Sequence, residues 1–308
     1  MTATKRRFVP YLIILWLLFM LIFSKSVLSA VKNALLLCGG TIIPSLFPFM
    51  IASDLLLEAG IGDIKIPRFL DKIAKRLFCV SATGFLSFFM GALCGFPIGA
   101  KFIADLYRNE KIGKDEATRL LCFCNNTGPA FAITGIGISL LHEKSLGIAL
   151  YGTQIVSALL CGFLFARFET KGERERITSS AQSAKVRDFS SVLRDNVQNM
   201  LVVCGVVLLF SSILGLLSEL LQNHVLLGII ASFLEVGTAS AVASNLYLHA
   251  PRAAFLLLTL AINFGGISVH MQTACLFHDL PISFRRHVAA KWVQACIALL
   301  LSVFYIFS

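Results

Sequence analysis

The sequence predicts an all-α membrane protein with about seven transmembrane helices and two re-entrant helical hairpins, arranged as two inverted repeats. Hydrophobic residues make up 57% of the 308 residues and charged residues only 14%, whereas a soluble domain carries about 25% charged residues. Apolar runs at 8–23, 145–168 and 288–307 approach the ~20 residues that a helix needs to cross a bilayer. Short segments of the first half also recur, in the same order, in the second half.

The internal repeat is carried by two pairs of segments. Residues 31–39 read VKNALLLCG, and residues 197–205 read VQNMLVVCG. A Leu-Leu pair precedes Asn126-Thr127-Gly128 in the first half, and another precedes Asn263-Phe264-Gly265 in the second. Inverted repeats with broken hydrophobic segments are typical of secondary transporters.

The predicted elements follow the apolar runs and their breaks. Residues 61–80 are predicted to form an amphipathic surface helix, since Ile66, Phe69, Ile73 and Leu77 recur at helical spacing among basic residues. The seven spans are expected at about 8–24, 33–57, 119–141, 146–168, 197–221, 253–277 and 288–307.

Two further apolar segments, 82–108 and 224–248, are interrupted at 95–99 and at 235–238. Each half is only about 12 residues long, which is too short to cross a bilayer alone. Both segments are therefore predicted to be hairpins that enter and leave on one side. The alternative makes each a full span and places the basic loops 101–119 and 167–194 on opposite sides.

The hairpin assignment fixes the orientation of the protein in the membrane. It places every Lys and Arg on the cytoplasmic side except Lys25, Lys32, Lys144 and Arg252, in agreement with the positive-inside rule. The N-terminus is then cytoplasmic and the C-terminus external. Span two and its echo, span five, run in opposite directions.

The predicted organisation has four parts. Residues 1–30 form an N-terminal transmembrane anchor, for which a cleaved signal peptide is the alternative. Residues 31–168 form the first repeat, 169–188 a polar cytoplasmic linker, and 189–308 the second, inverted repeat.

Several other functions are disfavoured by the residue pattern. The formal net charge of +10 suggests a nucleic-acid partner, but the basic residues lie in loops beside apolar spans, where topology explains them. The nine cysteines have no disulfide or metal-site spacing and are expected to pack as small hydrophobes. No hydrolase or nucleotide-binding motif occurs, so we expect no enzyme activity, metal or cofactor.

The first candidate site is a polar break in span three. Asn is costly in hydrocarbon, and Gly128-Pro129 interrupts the helix and frees backbone groups. The break is predicted to bind substrate; the alternative is a polar kink that holds helices together. Its candidate residues are Asn125, Asn126, Thr127 and Gly128.

A second break lies in span six. A Gly-Gly pair breaks the helix, and the polar residues after it alternate, which predicts a short extended stretch. The histidine is either a proton carrier or ligand donor, or is hydrogen-bonded to a neighbouring helix. The candidates are Asn263, Gly265, Gly266, Ser268, His270 and Gln272.

The hairpin tips complete the predicted site. Gly99 belongs to a tight turn, and Pro97 suits the first position of the helix that follows. Lys101 either contacts substrate or extends to the cytoplasmic surface. At the other tip, Glu235, followed by Thr238, either binds a cation, a proton or substrate, or pairs with freed backbone amides.

These motifs together resemble the sporulation integral membrane protein YlbJ family. The resemblance rests on 95–101 (GFPIGAK), 124–129 (CNNTGP), Glu235-Val236 and 264–272 (FGGISVHMQ) in this order, and it spans residues 31–307. The family is similar to proteins with nucleoside recognition (Gate) domains and to concentrative nucleoside transporters in layout. One departure is that Gly237-Thr238 stands where the family is expected to have a Thr-Asn-Gly-like turn.

The resemblance implies an endospore-forming Gram-positive host and a role in spore formation, with dipicolinate as the first candidate substrate. Together with the inverted repeats and their breaks, it predicts a secondary-type transporter of a small polar or anionic molecule in the cell membrane or a forespore membrane. The sequence leaves the coupling ion, a proton or sodium, open. The alternatives are a nucleoside transporter and a non-transporting scaffold for spore envelope assembly. Expected partners are the lipid bilayer, the substrate and a second copy in a homo-oligomer.

Overall fold

The computed structural model describes residues 3–64, 66–167, 188–221 and 223–307, and every regular element in these ranges is a helix. The α-helices are α1 Ala3–Ile22, α2 Ser24–Leu37, α3 Ile43–Glu58, α4 Arg68–Ile73, α5 Ala82–Cys94, α6 Ile98–Arg108, α7 Lys114–Leu121, α8 Lys144–Phe165, α9 Phe189–Leu220, α10 His224–Leu234, α11 Val236–Tyr247, α12 Pro251–Phe264, α13 Gly266–Leu276 and α14 Phe284–Phe307. π-Helical turns cover Cys38–Ile42, Ala74–Phe78 and Ala130–Leu140, and a 3-10 turn covers Ile61–Asp63.

The prediction of an all-helical membrane protein is confirmed. Five helices in the described ranges are long and apolar enough to cross a membrane, and a sixth results if Arg68–Phe78 and Ala82–Cys94, bent by 84°, form one span. Predicted span three is divided between α7 and Ala130–Leu140. The count of seven spans and the inversion of the repeats stay predictions. The five are Ser24–Glu58, Lys144–Phe165, Phe189–Leu220, Pro251–Leu276 and Phe284–Ile306.

The first echo lies on the span Ser24–Glu58, which comprises α2 and α3, and the second lies on α9, which packs antiparallel to that span. At one end, Ser26 of α2 donates a hydrogen bond to Glu219 of α9. At the other end, Asn196 Nδ2 of α9 donates to Asp54 Oδ2 of α3 at 2.7 Å. Because residue numbers rise along one helix as they fall along the other, the two echoes run in opposite directions, as the prediction of inverted repeats requires.

Both interrupted segments fold back on themselves. In 82–108, a methyl group built on Gly91 would lie 3.3 Å from the Cα of Gly99. In 224–247, a methyl group on Gly228 would lie 3.6 Å from a side-chain carbon of Val242. Each pair brackets its break, so α5 and α6 form one helical hairpin and α10 and α11 form another. They are called hairpin 1 and hairpin 2 below.

The predicted amphipathic helix at 61–80 is divided into short turns. Its apolar residues Phe69, Ile73 and Leu77 are exposed, whereas Phe78 on the next position is buried. An exposed apolar row beside basic side chains is typical of a segment at a membrane surface. The predicted linker, 169–188, lies outside the described residues except for Asp188.

A candidate substrate site between the hairpin tips

A cavity lies where the two hairpin tips, both helix breaks and the antiparallel helices meet. About 580 Å³ of empty space lies between these elements, the open space at the mouth included. The four regions that the sequence singled out thus meet at one place. The lining residues are Ile42, Ser45, Leu46, Cys94, Gly95, Phe96, Thr127, Gly128, Ala130, Phe131, Val203, Val207, Glu235, Val236, Gly237, Ser268, Val269 and Gln272.

Hairpin 1 packs directly on the first break. A methyl group on Gly91 or Gly99 would lie 1.7 Å or 2.2 Å from the carbonyl oxygen of Cys124. At the tip, Gly95 has a φ of +90°, and a methyl group there would lie 2.7 Å from the amide nitrogen of Gly128. Only glycine allows this approach of two backbones, so the tip and the break form one rigid wall of the cavity.

Hairpin 2 packs in the same way on the second break. Gly265 and Gly266 have φ values of +86° and +65°, a left-handed conformation that favours glycine. A methyl group on Gly266 would lie 2.9 Å from the carbonyl oxygen of Leu234, at the hairpin tip. Tip and break are therefore paired in both halves of the chain.

Glu235 caps α11 and also lines the cavity. Its two carboxylate oxygens accept hydrogen bonds from the amides of Gly237 at 2.8 Å and Thr238 at 2.5 Å. The structure thus shows the alternative in which the carboxylate pairs with freed hairpin amides. The hydroxyl of Thr238 lies 3.1 Å from that of Ser211 and does not line the cavity.

The expectation of an extended stretch after the Gly-Gly pair is wrong, because residues 266–276 form helix α13. With 100° per residue, positions four apart share a helix face and positions two apart do not. Ser268 and Gln272 therefore both line the cavity. His270 lies on the other side, with its ring centroid 4.8 Å from that of Phe264 and 5.2 Å from that of His287.

The cavity offers few polar groups, and two of them are free among the described residues. Ser268 Oγ is buried without a hydrogen-bond partner, and the Gln272 amide makes no hydrogen bond in the described part of the chain. Thr127 Oγ1 is engaged with the carbonyl of Ile262 at 3.3 Å. Glu235 is the one charged side chain among the lining residues.

A buried polar network behind the cavity joins the two breaks. Asn126 Oδ1 accepts hydrogen bonds from Lys291 Nζ at 3.2 Å and Gln294 Nε2 at 3.0 Å. Gln294 Nε2 also donates to Asn263 Oδ1 at 3.3 Å, and Ser157 Oγ donates to the same oxygen at 2.9 Å. The amides thus cross-link spans, which is one of the two roles considered for the first break.

Asn125 makes a separate link between the breaks. Its Nδ2 donates to Thr273 Oγ1 of α13 at 2.9 Å, and its Oδ1 is buried without a partner among the described residues. Neither Asn125 nor Asn126 lines the cavity.

Lys101 is neither at the cavity nor at the surface. Its side chain is buried, and its Nζ forms ion pairs with Asp54 and, at 2.9 Å, with Asp105. This cluster ties α6 to α3. Lys101 is therefore not one of the cytoplasmic surface charges that support the predicted orientation. The same is true of Lys291, which is also buried.

One proline and three glycines of the predicted site lie in the hairpin tip and the second break but do not line the cavity. Pro97 precedes the first residue of α6 rather than occupying it, and Gly99, Gly265 and Gly266 lie behind the lining. The cavity thus includes five of the predicted residues: Thr127, Gly128, Glu235, Ser268 and Gln272.

The sequence reasoning missed Asp54, Gln294 and the two phenylalanines of the lining, Phe96 and Phe131. Asp54 and Gln294 stand inside apolar runs, and a polar residue in a span is a signal of function. Phe96 and Phe131 give no such signal, since apolar residues are expected throughout a membrane protein. No group of three metal-ligating side chains occurs in the described ranges.

The chain is similar to the sporulation integral membrane protein YlbJ of Bacillus subtilis (strain 168). The two are 25% identical in an alignment that covers 88% of this chain and 75% of the relative. This similarity confirms the resemblance to the YlbJ family. No family model matches the chain, so the relation to Gate domains stays a prediction. No solved structure matches it.

Proposed function

We propose that the protein is a secondary transporter of a small organic molecule that acts in spore formation, and that the cavity between the hairpin tips binds the substrate. One observation carries this proposal: two hairpin tips and two broken helices enclose one cavity. Broken helices and a site between structural repeats are the features by which secondary transporters bind and release substrates. The similarity to a sporulation membrane protein supports the biological role.

The lining of the cavity restricts the substrate. Phe96 and Phe131 provide flat apolar surface, and Ser268 and Gln272 provide free hydrogen-bonding groups. A small planar ring with polar substituents suits this lining. Dipicolinate, the first candidate, has such a ring. Because Glu235 lines the cavity and no Lys or Arg does, the dianion would enter with protons or with a cation.

Uptake into proteoliposomes tests the proposal. Purified protein is reconstituted, and uptake of labelled dipicolinate is compared with uptake of labelled nucleosides and with protein-free liposomes. We expect dipicolinate uptake above background and nucleoside uptake at background. Uptake of nucleosides alone would support a transporter and would show that its substrate is a nucleoside and not dipicolinate. Background uptake of both would contradict the proposal and favour the scaffold.

A matched pair of variants links uptake to the cavity. Gln272→Ala removes a free amide from the lining, whereas Gln198→Ala removes an exposed amide from α9. We expect Gln272→Ala to raise the KM for the transported substrate and Gln198→Ala to leave it unchanged. Equal KM values for the two variants would show that the cavity is not the site.

A further inference from the structure

Lys291 is buried in the helix bundle without a carboxylate partner. It lies on α14, and its side chain is 2% exposed. Its Nζ donates to Asn126 Oδ1 at 3.2 Å and to Gln294 Oε1 at 2.9 Å, and no Asp or Glu of the described ranges pairs with it. A buried ammonium that lacks a counter-charge has a large desolvation cost. The position therefore differs from that of Lys101, which has two carboxylates.

Within the described residues, the hydrogen bonds of Lys291 match a neutral amine and leave one donor of the ammonium form unpaired. An ammonium group has three N–H donors, and a neutral amine has two donors and one lone pair. The two amide oxygens match the two donors of the amine, and the third donor of the ammonium has no acceptor in the described part of the chain. The lone pair of the amine is then available to a proton.

Two histidines lie beside this amine with free ring nitrogens. His287 Nδ1 is 2.8 Å from the carbonyl oxygen of Leu121, and since a carbonyl only accepts, Nδ1 carries a hydrogen. The neutral ring therefore has its lone pair at Nε2, which is buried without a partner among the described residues. Both ring nitrogens of the neighbouring His270 are also buried without a hydrogen-bond partner among the described residues.

The other titratable groups around Lys291 are thiols. Cys122 and Cys124 follow α7, and Cys161 lies on α8. Helix α13 contributes His270, and α14 itself contributes His287. Helix α12 faces the cluster with the neutral Asn263. In the described ranges, these neighbours thus include histidines and thiols and no carboxylate.

We propose that Lys291 is a proton-binding site and that His287 and His270 exchange protons with it. His287 is one helical turn nearer than Lys291 to the end of α14 that carries Arg285 and Arg286, so protons reach the lysine from that end. Through Asn126 and Gln294, the amine contacts both helix breaks, which makes the proton the coupling ion of the transporter. This last step rests on the proposed transport function, whereas the proton site itself does not.

The proton site is tested without transport by thermal unfolding of the purified full-length chain in detergent across a range of pH. Lys291→Met is compared with Lys144→Met, which removes an exposed lysine. Unfolding linked to a proton makes stability depend on pH. We expect the difference in Tm between wild type and Lys291→Met to change with pH, and the difference for Lys144→Met to stay constant. A constant difference for Lys291→Met overturns the proposal, and Lys291→Gln replaces it if the methionine variant does not fold.

Coupling is tested in proteoliposomes with an imposed pH gradient. Wild type is expected to accumulate dipicolinate against its concentration gradient. Lys291→Met is expected to lose this accumulation and to keep exchange of labelled for unlabelled dipicolinate at equal pH. Gradient-driven accumulation by the variant would overturn the coupling role. If wild type takes up nothing, the transport function fails, and the unfolding experiment still decides whether Lys291 binds a proton.

Discussion

The two hairpins have the same architecture and are held in different ways. In hairpin 1, every residue of α6 from 98 to 106 is buried, and Lys101 forms ion pairs with Asp54 and Asp105. In hairpin 2, only one side of α11 is buried, and no ion pair is formed within the described residues. Besides the Glu235 cap, its side chains reach other helices or loops through single hydrogen bonds: Ser232 to the carbonyl of Leu257, Thr238 with Ser211, and Tyr247 to Glu143.

Under the proposed transport function, this difference assigns the fixed and the moving hairpin. Charges that are paired in the interior resist separation, because breaking such a pair leaves an uncompensated buried charge. Packing between apolar and small residues allows helices to slide with less cost. We therefore expect hairpin 1 to stay fixed to α3 and α9 and hairpin 2 to act as the moving gate.

The largest effect is expected from adding a methyl group to hairpin 1. In Gly99→Ala the new carbon would lie 2.2 Å from the backbone oxygen of Cys124, whereas in Gly237→Ala of hairpin 2 it would lie 2.4 Å from the flexible end of Leu37. We expect Gly99→Ala to cost more than the ~1–3 kcal/mol usual for overpacking and to abolish folded protein. Gly237→Ala should cost no more than ~1 kcal/mol, since a side-chain end can move and alanine favours the helix.

Size-exclusion profiles and thermal unfolding of both variants measure this contrast. Gly205→Ala is the control, because a methyl group there meets nothing within 4 Å. Wild-type behaviour of Gly99→Ala would show that hairpin 1 is not packed on the break as described.

The next effect is expected from the ion pairs of hairpin 1. Asp54→Asn removes one carboxylate from Lys101, and loss of one partner of a buried pair typically costs about 3–5 kcal/mol. Because Asp105 still pairs with Lys101, we expect the lower end of this range. The exposed pair of Lys75 with Asp71 gives the control, since Asp71→Asn should cost at most ~1 kcal/mol. Equal Tm values for the two variants would contradict the fixed role of hairpin 1.

A smaller effect on stability is expected at the cap of hairpin 2. Glu235→Ala removes the two hydrogen bonds to the amides of Gly237 and Thr238, and loss of an N-cap costs about 1 kcal/mol. Asn223→Ala removes the cap of α10, away from the cavity, at a similar cost. Uptake assays separate them: we expect transport to fall in Glu235→Ala and to persist in Asn223→Ala. The same uptake in both would argue that Glu235 only caps the helix.

The smallest effect is expected at the end of hairpin 1 that lies away from its tip, where α6 ends at Arg108. The hydrogen bond from Arg108, at 2.8 Å, lowers the pKa of Asp279 in the loop before α14. The stability from this pair is present above the pKa of the unfolded carboxyl, about 4, and is lost as the pH falls through the lower pKa of the folded state. Asp279→Asn should therefore lower Tm slightly at neutral pH and not at acidic pH. A Tm difference that is independent of pH would exclude this ion pair.

Much of the fold could be predicted from periodicity and glycine placement. The hairpins, the two breaks and five spans follow from the lengths of apolar runs and from Gly95, Gly265 and Gly266. The helical register after a break could not, because the alternation of Ser268, His270 and Gln272 fits a strand and a helix alike over so few residues.

The partners of buried charges also could not be predicted. Lys101 and Lys291 are both lysines beside apolar segments, yet one pairs with carboxylates and the other with amides. These partners come from other helices, so only the tertiary fold brings them together. The same holds for the cavity lining, in which Phe96 and Phe131 meet from different elements.

Protection of Cys94 by substrate tests the central claim most directly. Cys94, which is 8% exposed, lines the cavity at the tip of hairpin 1, whereas Cys161 on α8 is 0% exposed and is not part of the lining. Three variants carry one cysteine each in an otherwise cysteine-free chain: Cys94, Cys161, or a cysteine introduced at the tip of hairpin 2 by Val236→Cys. We predict that Cys94 and the cysteine at position 236 react with a polar thiol reagent and are both protected by the transported substrate, while Cys161 stays unreactive. Modification of both tips at the same rate with and without that substrate would contradict a binding site between the hairpins.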